Sequence, residues 1–511
     1  MSLARRVASN AVTALGLQSG LLVLGLAATA VFVRVLGLER YGAWAVLMAI
    51  VAYGGVLELG LGVSLVRRVA ELHRGADPGA LDLALGGTVT ATAVLGATGA
   101  VLIIAGAPLV AGVVHVPEVL RREFVAALRV GAIGVFLAVP SAALGAVPMA
   151  LQRLDAVVAL DAAVGSAVLA AQIAVVLEGG GLVGLAAVTA VGRAAALAGR
   201  AVLARRFLGR LRFRVSLRYP FWSELGRFGS LKVVQQIASL LVLHLDRLLV
   251  AVFLSAEWVA YYAAPLDLAQ RLLMVQSNVS SAYYPAACAV AGSGDQAAFY
   301  RLYERTSRAV ATATFALAMV LVIFARPILA VWVGPAIAAQ SGDLLRVLAA
   351  AYALMALTAI PSNASDALGR PDIAARYSIA SLAINATLAV ILIPRFGIMG
   401  SGCAILGNVV LQSPWFVRAV TRSVVGAPVR PYVVRAVWEP LVPAAIAGAV
   451  FAAGVGLGFS HGAAGLGAVG VAGVVAFALA VRWLGIFDAA EREVIATLPG
   501  GRVLHWLAGR R

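Results

Sequence analysis

The chain has 511 residues, of which 62% are hydrophobic and only 12% charged, and its formal net charge is +17. A soluble domain of this length carries about twice that charged fraction. The composition therefore excludes a soluble enzyme or binding module and implies a protein that crosses a membrane many times. Lys232 is the single lysine, so almost all of the base is arginine.

Arg5 and Arg6 precede an apolar run from Ala11 to Val33 that is too long for the core of a secretory leader and long enough to span. It is expected to be a retained first helix over 11–36. Further apolar segments follow at 41–66, 83–114, 123–149, 156–177, 181–204, 226–254, 257–289, 308–333, 343–366, 373–394, 398–420, 437–459 and 463–486. The expected fold is an all-α polytopic membrane protein of about fourteen transmembrane helices. A bilayer offers no water to unpaired backbone groups, and these runs are too long and too uniformly apolar for barrel strands. A basic stretch, RRFLGRLRFRVSLR at 205–218, separates the sixth and seventh segments. The tail from Asp488 mixes Val494, Ile495, Leu498, Leu504, Trp506 and Leu507 with charges, as a broken amphipathic helix on the membrane face would.

Arginines near the segment ends set the orientation. With the N-terminus inside, 28 fall on the cytoplasmic side and 8 outside, leaving Arg193, Arg247 and Arg271 deeper in the membrane. Both termini are therefore expected in the cytoplasm. Cys288 and Cys403 then lie near opposite faces, so no disulfide is expected, and their spacing suits no metal.

The chain also repeats itself. LGLERYGAWA from Leu36 matches LSAEWVAYYA from Leu254 at an offset of 218. Leu151-Gln-Arg153-Leu-Asp155 matches Leu368-Gly-Arg370-Pro-Asp372 at 217, and Gly181-Leu-Val-Gly184 matches Gly397-Ile-Met-Gly400 at 216. Each repeat holds six segments, an even number, so the two copies enter the membrane with the same orientation. That is the parallel-repeat plan of some transporters, with a site expected between the halves. The expected organisation is a first lobe at 1–204, a cytoplasmic basic linker at 205–225, a second lobe at 226–425, two extra helices at 426–487 and a cytoplasmic amphipathic tail at 488–511.

The stretches LGLERYGAWAVLMAI, LELGLGVSLVRRVAEL and HLDRLLVAVFLSAEWVAYYA resemble the polysaccharide exporters, or oligosaccharide flippases, of the multidrug/oligosaccharidyl-lipid/polysaccharide (MOP) exporter superfamily. The resemblance covers most of 1–425. Glu58 stands where the family's DLGLG-like stretch carries an aspartate, and the charge is kept. The resemblance implies two six-helix lobes forming a V around a central cavity, and movement of lipid-linked sugars by alternating access.

The candidate site residues come from the chain itself. On the seventh segment Lys232, Gln235, Gln236, Ser239, Asp246 and Arg247 share a sector of about 120° at 100° per residue, a polar face that must meet protein or a wet cavity. His244 lies off that stripe, as a packing residue does. The eighth segment adds Asp267, Gln270, Arg271, Asn278 and Ser281. Counted from the outer end, Asp246 and Arg247 lie ~10–12 Å deep and Asp267 ~15 Å deep, which allows an Arg247–Asp267 pair. These charges either staple two helices or line a substrate path. Lys232, Gln235, Gln236, Asp246, Arg247, Asp267, Arg271 and Asn278 are the cavity candidates, and Arg247 and Arg271 suit a diphosphate because guanidinium grips phosphate oxygens bidentately. Glu58 and Asp161, with Gln172 near the latter, are the carboxylates that could bind a driving proton or sodium ion. No phosphate loop, metal-ligand spacing or nucleophile motif points to an enzyme, a metal or another cofactor.

The leading expectation is a bacterial inner-membrane flippase that carries a polyprenyl-diphosphate-linked oligosaccharide from the cytoplasmic to the outer leaflet for cell-surface polysaccharide assembly. Its expected partners are that cargo, membrane lipids, protons or sodium ions, and a polymerase or glycosyltransferase, with no nucleic acid. The alternatives are an ion-coupled drug exporter, a lipid-linked peptidoglycan precursor flippase, and a non-transporting scaffold for a polysaccharide synthase.

Overall fold

A computed structural model describes residues 3–58, 60–74, 78–209, 230–457 and 463–486. Among these residues every regular element is helical. The chain divides into two compact units, Met1–Ala263 and Ala264–Arg511.

In the first unit α1 runs from Leu3 to Ala52 and is broken at Gly37, whose φ of 78° is open to glycine and costly to other residues. A 3₁₀ turn at Tyr53–Glu58 leads into α2 (Leu61–Arg74), followed by α3 (Pro78–Val113), α4 (Glu118–Ala150), α5 (Leu154–Leu177), α6 (Leu182–Leu208) and α7 (Ser230–Phe253). α8 (Ala256–Gln270) straddles the division between the units. The second unit continues with α9 (Leu272–Ser293), α10 (Gln296–Ile323), α11 (Ala325–Trp332), α12 (Pro335–Ala356), α13 (Ala359–Ala367), α14 (Pro371–Phe396) and α15 (Ile398–Ser423). α16 (Val429–Val433), a π-turn at Val434–Trp438, α17 (Glu439–Gly456) and α18 (Ala463–Leu484) complete it.

Eleven of the described segments are long and apolar enough to cross a membrane. The difference from the expected fourteen has local causes. The first two expected spans are two helices that meet directly at the kink of Gly37 and so count once, the seventh carries the polar stripe, and the eighth is divided at Arg271 between α8 and α9. The linker beyond Gly209, the loop at 458–462 and the tail from residue 487 lie outside the described residues.

Packing follows the logic of lipid as solvent. α4 is buried along most of its length through Gly131, Ala132, Gly134, Ala143, Gly145 and Ala146, small residues that let α3 and α6 approach closely. α3 is turned the other way. Its Leu102 and Leu109 are 66% and 73% exposed, while Thr88 and Thr92 are buried, their hydroxyls donating to the carbonyls of Ala84 and Thr88. α2 is amphipathic, and Arg67 donates to Glu71 at 2.8 Å one turn on, which holds that carboxyl below the usual range.

The repeat extends to the element boundaries. Pro78 and Gln296 open equivalent helices at an offset of 218, Glu118 and Pro335 at 217, Leu154 and Pro371 at 217, and Leu182 and Ile398 at 216. The division at Arg271 is the counterpart of the change from α-helix to 3₁₀ turn at Tyr53, again 218 residues earlier. Arg153 pairs with Asp155 at 3.3 Å before α5, and Arg370 with Asp372 at 3.0 Å before α14. The turn that presents each arginine needs a left-handed residue: Gln152 at φ 57° in one copy, Gly369 at φ 75° in the other. The two copies of the LGLERYGAWA-type stretch also meet within the first unit. Gly42 of α1 lies against the backbone of Ala256 and Ala260 of α8, so closely that a Cβ at Gly42 would strike the Ala256 carbonyl.

Candidate functional site

Two polar faces converge inside the first unit. Along α5 the residues Asp161, Gly165, Val168 and Gln172 recur at helical spacing, and along α6 so do Thr189, Arg193, Ala196 and Arg200. With Ser141 of α4 and Met48 of α1 they enclose a cavity of about 430 Å³. That lies in the range of roughly 300–1,000 Å³ typical of small-ligand sites.

Arg200 is the hub. Its Nη2 donates to Asp161 Oδ1 at 2.9 Å and Oδ2 at 3.2 Å, and its Nη1 to Ser141 Oγ at 3.2 Å. The Arg200 side chain is 21% exposed and that of Asp161 46%, so the pair faces the cavity. Deeper in, Gln172 Nε2 donates to Thr189 Oγ1 at 3.0 Å, and that hydroxyl donates on to the Leu185 carbonyl. Arg193 lines the same space and makes no hydrogen bond of its own among the described residues, while its charge acts on both Asp161 and Arg200. Two guanidinium groups thus face one carboxylate.

Glu58 closes the 3₁₀ turn, and its carboxylate accepts the backbone N–H of Gly62 at the start of α2, within reach of the Arg200 charge. A carboxylate there satisfies an orphan helix donor and complements the helix dipole.

The stripe on α7 packs in the first unit. Asp246 is 3% exposed and lies near the Tyr53 hydroxyl, which donates to the Leu241 carbonyl at 3.4 Å. His244 meets Tyr53 edge-on, with ring centroids 6.1 Å apart, in keeping with a packing role. Gln235 and Arg247 are half-buried, whereas the side chains of Lys232 and Gln236 lie outside what is described. In the second unit Asp267 and Asn278 are half-buried, and Arg271 is exposed at the division between α8 and α9. Gln270, on α8, donates to Tyr352 Oη at 3.2 Å.

Of the residues expected from sequence, Asp161 and Gln172 therefore share a cavity with Arg193, while Glu58 lies outside its lining and feels the Arg200 charge without pairing with it. Arg200 was missed as a site residue: it counts among the inside-positive arginines, yet it reaches a carboxylate on α5. Its spacing of seven residues from Arg193 puts both on one helix face, and that was the available signal. Among the described residues no group of three or more His, Cys, Asp or Glu gathers as a metal site.

Residues 31–337 match the family described as "Polysaccharide biosynthesis protein". A Shigella flexneri protein named "Putative O-antigen transporter" is 24% identical over 195 residues, 38% of this chain and 46% of that protein, so the match spans about half of the relative's length. Among solved structures, the lipid II flippase MurJ in an inward closed conformation superposes with a TM-score of 0.75 at 11% identity, covering 92% of this chain and 98% of that one. A multidrug resistance MATE family transporter of the MOP superfamily, inward-facing, gives 0.68 at 14% identity, covering 79% and 94%. The family match spans more than half of the chain and the fold is that of the MOP exporters, so this protein belongs to the polysaccharide biosynthesis family of multi-pass membrane proteins.

Proposed function

We propose that the protein is a flippase that carries a polyprenyl-diphosphate-linked oligosaccharide from the cytoplasmic to the outer leaflet of the bacterial inner membrane by alternating access. The observation that carries this reading is the sign of the first-unit cavity. In a member of a polysaccharide biosynthesis family, two arginines facing one aspartate suit an anionic cargo, whereas a cationic drug would call for surplus carboxylate. The α7 and α8 polar residues, with Arg247 and Arg271 among them, are further proposed cargo contacts. Glu58 and Asp161 are the carboxylates proposed to serve a driving proton or sodium ion, and each is already engaged, by Gly62 and Arg200 respectively.

The test is flipping in proteoliposomes holding the purified protein and a polyprenyl-diphosphate oligosaccharide, scored by access of a membrane-impermeant sugar-modifying enzyme. Transfer above protein-free vesicles is expected. Export of cationic dyes without transfer of the lipid-linked sugar would favour the drug exporter, and movement of neither would favour the scaffold.

A further inference from the structure

We propose that the cavity between α4, α5 and α6 is an anion-exchange site, in which Arg193 and Arg200 bind the phosphate oxygens of a diphosphate and Asp161 is the internal anion that the diphosphate displaces from Arg200. The inference rests on the flippase reading for the identity of the cargo alone. The site itself stands on three observations.

The first is charge balance. Arg193 and Arg200 lie two helical turns apart on one face of α6 and line the same space, against the single carboxylate of Asp161. With Asp161 bound to Arg200, the cavity retains the charge of Arg193. An uncompensated cation inside a membrane span is costly and marks a place where an anion is expected.

The second is access. A pair sealed from water cannot part without leaving a charge in low dielectric. Here the Asp161 side chain is 46% exposed and the pair opens on about 430 Å³ of space. Asp161 can leave Arg200 without unpacking a core.

The third is internal to the chain. At the repeat offsets of 216–217, Arg200 corresponds to Phe416, Arg193 to Val409, Thr189 to Ile405, Gln172 to Ala389 and Asp161 to Ser378. In the second unit Phe416 is fully buried and stacks on Tyr377, with centroids 4.2 Å apart. The same helix pair is therefore held in one copy of the fold by aromatic packing and by the buried hydrogen bond from Asn408 to Ser381, with no ion pair between them among the described residues. Holding α5 and α6 together does not require the ions, so their presence in one copy alone needs a different reason.

Binding and selection then follow from one feature. Guanidinium forks match phosphate oxygens, with Ser141 Oγ at hand beside Arg200. A tethered carboxylate competes at high effective concentration. A small anion that engages only one guanidinium, such as sulfate, cannot outbid it, while a diphosphate, engaging Arg193 and Arg200 together, can. Asp161 thus excludes weaker anions, a specificity gained by repulsion rather than by added contacts.

The experiment is calorimetric titration of the purified full-length protein in neutral detergent with inorganic diphosphate, and with sulfate as a competitor of lower charge. Wild type is expected to bind diphosphate and not sulfate. Asp161→Asn should bind diphosphate about tenfold tighter and should begin to bind sulfate. Arg193→Gln and Arg200→Gln should each weaken diphosphate binding at least tenfold, with Arg200→Lys in between. Arg193→Gln breaks no ion pair and decides the matter should Arg200→Gln fail to fold. Binding unchanged in Arg193→Gln, or no tighter in Asp161→Asn, overturns the proposal. Flipping that persists in both arginine variants overturns the site and leaves the function, whereas the expected binding pattern in a protein that flips no lipid-linked sugar keeps the site and removes the cargo.

Discussion

At the scale of single residues, the Arg200–Asp161 pair separates packing from electrostatics. Arg200→Ala leaves a carboxylate facing a cavity inside a membrane span, which should cost stability. Breaking a sealed pair costs about 3–5 kcal/mol, and the exposure of Asp161 reduces this to about 1–2 kcal/mol. The double variant Arg200→Ala/Asp161→Ala should recover part of the loss, because neither charge remains alone. Melting curves in detergent measure both, and Arg153→Ala supplies the comparison: that pair is exposed on both sides, and its loss should cost under about 1 kcal/mol. Glu58 allows a second prediction. Its carboxylate caps α2, so Glu58→Ala should lower stability by about 1 kcal/mol, while Glu58→Gln keeps an acceptor for Gly62 and should cost less. If Glu58 also serves the driving ion, Glu58→Gln should lose gradient-dependent transport at nearly full stability. Wild-type transport in Glu58→Gln would confine the residue to capping.

At the scale of elements, the repeat supplies its own controls. The turn before α5 and the turn before α14 share their hydrogen bonds, Arg153 N–H to the Pro148 carbonyl and Arg370 N–H to the Ser365 carbonyl, both at 2.8 Å. They differ in the residue that takes the left-handed conformation. Gln152 pays a steric penalty of roughly 1–2 kcal/mol that glycine avoids, partly offset by the greater freedom of glycine in the unfolded chain. Gln152→Gly should therefore raise stability by a few tenths to about 1 kcal/mol, and Gly369→Ala should lower it by a similar amount. Thermal unfolding of the pair gives the answer, and equal effects of the same sign would contradict the equivalence. In α1, Gly42→Ala should be destabilising because its Cβ meets the Ala256 carbonyl. Gly20→Ala meets nothing within 4 Å and should gain about 0.5–1 kcal/mol of helix propensity.

At the scale of the whole molecule, the orientation deduced from arginine placement makes a direct prediction. Glu178, between α5 and α6, should face outward, and Ser293, the last residue of α9, should face the cytoplasm; both are exposed. In a background lacking Cys288 and Cys403, Glu178→Cys should react with an impermeant maleimide in intact cells and Ser293→Cys only after lysis. The reverse pattern would invert the topology.

The sequence by itself determined the class, the helices and the repeat. An apolar run in lipid has no alternative to helix, and three short matches at offsets of 216–218 survive as equivalent helix starts and turns. It also singled out Asp161 and Gln172, because a polar residue in such a run stands out against its neighbours. Breaks were legible in part. Gly37 falls between two expected spans, whereas Arg271 interrupts a helix inside the expected 257–289, since backbone dihedrals leave no trace in apolarity. Only the tertiary structure decided that Arg200 belongs to a site. An arginine some eight residues from a helix end can snorkel to the headgroups or turn inward, and both give the same sequence. The choice is made by a carboxylate 39 residues away on the neighbouring helix, at 2.9 Å, a distance that exists only once α5 and α6 are packed.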